Sequence, residues 1–161
     1  MLLLDQLDRF WGNSYVFMGQ YTAEDIARYV IRKCTLENWA ISNLQLQKIL
    51  YYLQAAFLQE KNRALFSDDI EAWQFGPVVR SVYRKYCGYG AAAIREDEEP
   101  HCEISLEDQE LIDKIVDEKR RIKSWVLVNM THEDGKPWDR VYRSGIGEKE
   151  VIPKVVIAEY A

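Results

Sequence analysis

Ser42-Asn43-Leu44-Gln45-Leu46-Gln47-Lys48-Ile49-Leu50-Tyr51-Tyr52-Leu53-Gln54-Ala55-Ala56-Phe57-Leu58 is the stretch whose reading decides the fold. Ser42 with Gln45 three residues on is a capping-box pattern, in which two side chains satisfy the free N–H groups that open a helix. Behind it Leu46, Ile49, Leu50, Leu53 and Phe57 recur at the spacing that stacks side chains on one helical face. Tyr51, Ala55, Ala56 and Leu58 make more than one face apolar. A helix over residues 42–57 should therefore be central and covered on several sides.

Other helices are expected around it. Thr22-Ala23-Glu24-Asp25 carries a capping residue before Ile26, Tyr29, Val30, Ile31 and Cys34, and Ser105-Leu106-Glu107-Asp108 does the same for a helix whose apolar row is Leu106, Leu111, Ile112, Ile115 and Val116. Further helical segments are expected over residues 124–130 and 153–160. Residues 70–75 look extended. Because proline suits a first helical turn and disfavours helix in the residue before it, Gly76-Pro77 should end that strand and open a helix through Val78, Val79, Val82, Tyr83 and Tyr86. Residues 101–104 are expected to pair with residues 70–75 as a hairpin. Trp73 and Phe75 alternate onto one strand face, expected to be the buried one, with Glu71 and Gln74 outward. Trp73, Phe75, Tyr83, Trp125 and Trp138 are by default core residues. The fold class expected is mainly α with a minor β element: a leader over residues 1–19, then one domain over residues 20–161.

Composition narrows the function. The 161 residues are 48% hydrophobic and 29% charged, as in ordinary globular proteins. The net charge of −5 argues against a general nucleic-acid binder. Cys34, Cys87 and Cys102 are odd in number and show no C-x-x-C spacing, which reads as free thiols in a reducing cytoplasm. The N-terminal Met1-Leu2-Leu3-Leu4-Asp5 lacks the basic segment of a signal peptide, and no apolar run is long enough to span a bilayer.

Chemistry-bearing motifs are weak. Gly88-Tyr89-Gly90-Ala91-Ala92-Ala93 matches G-x-G-x-x-A, but it follows a helix where a dinucleotide site needs a strand, so a helix C-cap is the better reading. His132-Glu133 lacks the second histidine of a zinc helix, and no nucleophile motif accompanies it. No metal, cofactor or turnover is expected. Lys119-Arg120-Arg121-Ile122-Lys123 could contact phosphates, but it also ends a helix, where cations complement the macrodipole. A nucleic-acid-binding regulator of phage or prophage origin is the alternative that this cluster supports.

Three stretches together are more specific than any one. Leu44-Gln45-Leu46-Gln47-Lys48-Ile49-Leu50-Tyr51-Tyr52, then Glu71-Ala72-Trp73-Gln74-Phe75-Gly76-Pro77-Val78 with Tyr83 following, then Thr131-His132-Glu133-Asp134-Gly135-Lys136-Pro137-Trp138 stand in the order of the Panacea domain's motifs. The chain thus resembles that phage-associated antitoxin family over about residues 20–161. The resemblance implies a small helical domain that neutralises a cognate protein toxin by direct binding, and some members resemble adaptors that pass a toxin to a protease. It carries over no catalytic residue. The chain shows no appended DNA-binding or zinc-ribbon segment, which argues against control of its own transcription.

The motif positions Tyr51, Trp73, Gly76, Pro77, Pro137 and Trp138 are expected to be mostly structural. If the three motifs converge, the polar residues beside them should ring a toxin-binding groove: Lys48 and Tyr52 one turn apart on the central helix, Arg80 and Arg84 one turn apart on the helix after Gly76-Pro77, and His132 and Asp134 on the third motif's loop.

Overall fold

Thr22, Ser42 and Ser105 each start a helix. Thr22 accepts from the Asp25 N–H and Ser105 from the Asp108 N–H. At Ser42 the hydroxyl accepts from the Gln45 N–H while the Gln45 side chain accepts from the Ser42 N–H, which closes the capping box. A computed structural model describes residues 18–161, so the expected leader lies outside the described residues except for Met18 and Gly19. In chain order the elements are α1 (Ala23–Leu36), α2 (Asn43–Glu60), β1 (Glu71–Trp73), β2 (Gly76–Val78), α3 (Arg80–Tyr86), α4 (Leu106–Lys119), α5 (Ser124–Thr131), α6 (Pro137–Tyr142) and α7 (Lys154–Tyr160). The protein is mainly α, with one small two-stranded antiparallel sheet.

Helix α2 is the axis of the core and packs against α1, α3, α4, α5, α7 and β2. Leu46, Ile49, Leu50, Leu53 and Phe57 are fully buried, as their spacing predicts. Burial of each such side chain stabilises the fold by about 1.5–3 kcal/mol. Because α2 is covered nearly all round, its polar side chains Gln47 and Gln54 are also interior, and each latches an irregular segment. Gln54 accepts from the Leu65 N–H and donates to the Phe66 carbonyl. Gln47 accepts from the Val79 N–H at 2.9 Å. These bonds supply partners that the loop backbone would otherwise lack away from water.

The hairpin differs from the expected one. β1 pairs with β2, in the register Glu71↔Val78, Ala72↔Pro77, Trp73↔Gly76. The segment at residues 101–104 forms no strand. Instead of starting a helix, Gly76-Pro77 belongs to β2, and α3 begins at Arg80. The reason is local: Gly76 has φ of 104°, a conformation glycine adopts without strain, and it folds the chain straight back after Gln74-Phe75. Residues 149–152 run along the other edge of β1, where the Ala72 N–H donates to the Glu150 carbonyl and the Lys149 N–H to the Ala72 carbonyl. The expected facing fails for the aromatic residues, although Gln74 is outward as expected. Ala72 is buried, Trp73 is half-buried, and Phe75 is exposed in the turn.

The acidic stretch before α4 is tied to α1 by ion pairs, Arg28 with Glu98 and Arg32 with Asp97 and Glu99. Among the described residues no helix is long and apolar enough to cross a membrane.

Candidate functional site

The three motif stretches meet at the hairpin. From α2, the Lys48 ammonium reaches under β2 and donates to the Pro77 carbonyl at 2.9 Å. Gly76 lies directly over it. A Cβ at Gly76 would stand 2.8 Å from Lys48 Cε and 2.8 Å from Thr131 Oγ1, so only glycine fits between α2 and the end of α5. Lys48 is fully buried, and this desolvation pushes its pKa down to about 7.

The third motif closes the other side. Trp138, held by Pro137 at the first turn of α6, donates its indole N–H to the Trp73 carbonyl at 2.7 Å. One face of its ring stacks on His132, with centroids 3.6 Å apart and planes at 8°. It also stacks on Tyr142 at 4.3 Å. Burial holds the His132 ring below its ordinary pKa, and the charge of Lys48 acts in the same direction. His132 Nε2 is buried with no hydrogen-bond partner among the described residues. On α2, Tyr52 stands edge-on to Tyr51 at 5.2 Å under the Lys119 ammonium. Burial, then the nearby Glu133 carboxylate, raises the Tyr52 hydroxyl to about 12.

The expected groove residues therefore divide. Lys48 is not a surface group beside Tyr52, because Gly76 and Pro77 of β2 cover it and leave it no route to solvent. Tyr52 and His132 are half-buried, and Asp134 is exposed in the turn before α6. Arg80 grips Glu71 through two nitrogens at 2.9 and 2.7 Å and lies over the Trp73 ring. Arg84, one turn on, is exposed. Arg80 and His132 are linked through Trp73 and Trp138, while Tyr52 and the His132 loop are related only by the field of the Glu133 carboxylate at the Tyr52 hydroxyl. Tyr51, Gly76, Pro77, Pro137 and Trp138 are interior, but Trp73 keeps a partly open face.

The basic cluster after α4 is partly consumed by the fold. Arg120 is buried and pairs with Glu37 and Asp117, and Lys119 pairs with Glu118. Among the described residues no group of three or more His, Cys, Asp or Glu side chains is placed to hold a metal ion.

Sequence reasoning missed two features. Thr131 and Gln47 are interior polar groups that no composition rule marks. More consequential, Phe75, Tyr83 and Trp125 are exposed where core was expected. The signal was available for Trp125: Leu127 and Val128 are the buried apolar residues of α5, which turns Trp125 and Val126 outward on a short helix.

Residues 46–139 match the family model described as the SocA-like antitoxin, Panacea domain. The chain is 34% identical over 128 residues to the antitoxin SocA of Caulobacter vibrioides (strain NA1000 / CB15N), an alignment covering 73% of this chain and 68% of the relative. No solved structure matches. Residues 46–139, matched by the family model, contain the Lys48–Pro77 bond, the Gly76 contact and the Trp138–Trp73 bond, the three ties that bring the motifs together. The chain belongs to the SocA-like antitoxin family built on the Panacea domain.

Proposed function

We propose that the protein is an antitoxin that neutralises a cognate protein toxin by binding it directly, without turnover. The observation that carries this reading is membership of a family of antitoxins with a relative bearing that name. The site's geometry supports it. The polar groups that could do chemistry are occupied by the fold: Lys48 is sealed beneath Gly76, and the half-buried His132 ring is stacked on Trp138. What remains outside is a set of aromatic and arginine side chains, the types that dominate binding energy at protein interfaces. Tyr52, Arg80, Arg84, His132 and Asp134 form the proposed rim of that interface.

The test is rescue. The reading frame adjacent to this gene is expressed in a host that lacks this chain, and growth is scored with and without the chain supplied in trans. A toxic neighbour that is silenced and co-purifies with this chain at fixed stoichiometry supports the reading. A non-toxic neighbour, or toxicity that this chain leaves unchanged, overturns it. Tyr52→Ala, Arg80→Ala and His132→Ala, made singly, then locate the interface. Full rescue by all three folded variants places it away from this rim.

A further inference from the structure

Four aromatic side chains form a ridge beside the hairpin. Trp73 packs on Tyr83 of α3 with ring centroids 4.9 Å apart. Two residues on, in the turn, Phe75 meets Trp125 of α5 edge-on at 5.4 Å with the rings at 90°. Phe75 is 47% exposed, Trp125 59%, and the adjoining Val126 47%. Large apolar groups clustered in the open mark an interaction surface, whereas isolated ones do not.

The charge around the ridge is cationic, against a molecule of net charge −5. The Lys149 ammonium lies 5.4 Å from the Trp73 ring centroid. Arg84 is close enough to Glu71 to lower its pKa, behind the larger effect of Arg80. Lys123 opens the helix that carries Trp125. Among the described residues Arg84, Lys123 and Lys149 make no ion pair, while most other cations do. The acids recorded at β1 and its edge are engaged: Glu71 by Arg80 and Glu150 by Arg143. An aromatic ridge beside cations that make no ion pair suits an apolar anchor flanked by carboxylates.

We propose that the ridge of Tyr83, Trp73, Phe75 and Trp125 anchors an acidic segment of the partner protein. This rests on the antitoxin reading and names the surface and partner chemistry for it. A second copy of this chain is disfavoured, because a twofold contact would set this cationic patch against the same patch of the other copy. Nucleic acid is disfavoured too, because three cations on an anionic protein give few phosphate contacts and little counterion release.

Binding of the purified full chain to the product of the adjacent reading frame is measured by calorimetry at low and high salt. Wild type is compared with Phe75→Ala, Trp125→Ala and the double variant Arg84→Glu, Lys149→Glu. The aromatic variants should bind about 30-fold more weakly, the loss of a typical interface anchor. The charge-reversed variant should also bind more weakly, and wild-type affinity should fall as salt rises. Circular dichroism melting checks the fold, and the charge-reversed pair, both exposed, keeps the test valid if an aromatic variant is unstable. Binding by all variants within twofold of wild type overturns the ridge and leaves the antitoxin reading standing. No binding by wild type overturns the antitoxin reading itself. Sedimentation of the free chain as a dimer that Trp125→Ala dissolves, or binding of a single-stranded DNA oligonucleotide lost in the charge-reversed variant, assigns the ridge to another occupant and overturns the proposal.

Discussion

Lys48 donates to the Pro77 carbonyl from a position with no access to water, so one hydrogen bond ties the central helix to the hairpin at the cost of burying an amine. Unfolded, Lys48 titrates at its ordinary 10.5, whereas in the fold burial pushes it to about 7. Between those values the unfolded chain binds the extra proton, so stability rises with pH. The burial penalty is complete below pH 7 and is relieved as pH approaches 10.5, a difference of about 5 kcal/mol. Lys48→Met removes this slope and leaves the Pro77 carbonyl unpartnered, an offsetting loss of about 1–3 kcal/mol. Urea unfolding from pH 6.5 to 9.5 should show wild type gaining stability relative to the variant. Parallel curves would mean that Lys48 keeps its ordinary pKa inside the fold.

Gly76 is the other half of that junction. Gly76→Ala faces a φ of 104° and a Cβ 2.8 Å from both Lys48 and Thr131. Backbone strain and overpacking should together cost about 2–4 kcal/mol. A melting temperature within a degree of wild type would show that the hairpin shifts freely over α2.

Leu50→Ala and Leu53→Ala should each cost about 2–5 kcal/mol, because both side chains are fully buried in the helix that the rest of the fold surrounds. Chemical denaturation reads this directly. Losses under about 1 kcal/mol at both sites would place the core elsewhere.

The helices were legible where local chemistry decides them. Thr22, Ser42 and Ser105 cap what they were expected to cap, and the apolar rows behind Thr22 and Ser42 are mostly buried, whereas behind Ser105 only Ile112 and Val116 are buried and Leu106 is exposed. The hairpin was not, because its strands are three residues long and leave no alternation to read. Gly76-Pro77 also carries turn, strand and helix-start signals at once, and tertiary bonds from Gln47 and Lys48 select the strand. The convergence of the three motifs followed from the resemblance, not from spacing. Lys48 was misplaced because lysine is almost always exposed. Leu44 and Tyr51 share its helical face, and a lone charge on such a face can mark an internal latch. The ridge went unread because aromatic residues signal core and interface equally, and only exposure separates the two.

Arg120 and Arg121 are neighbours in sequence with different roles. The Arg120 guanidinium is buried between Glu37 and Asp117, while Arg121 is exposed, lies over the Trp39 ring and donates to the Asp117 carbonyl. Arg120→Ala should cost about 1–3 kcal/mol, less than a fully buried pair because both carboxylates are half in water. Arg121→Ala should cost about 0.5 kcal/mol or less. The same asymmetry bears on nucleic acid. With Arg120 and Lys119 engaged inside the fold, Arg121 and Lys123 are what a phosphate backbone could meet, too few for binding that survives physiological salt. A gel shift at that salt should show no complex. A sequence-specific complex abolished by Arg121→Ala with Lys123→Ala would reinstate the cluster as a nucleic-acid contact.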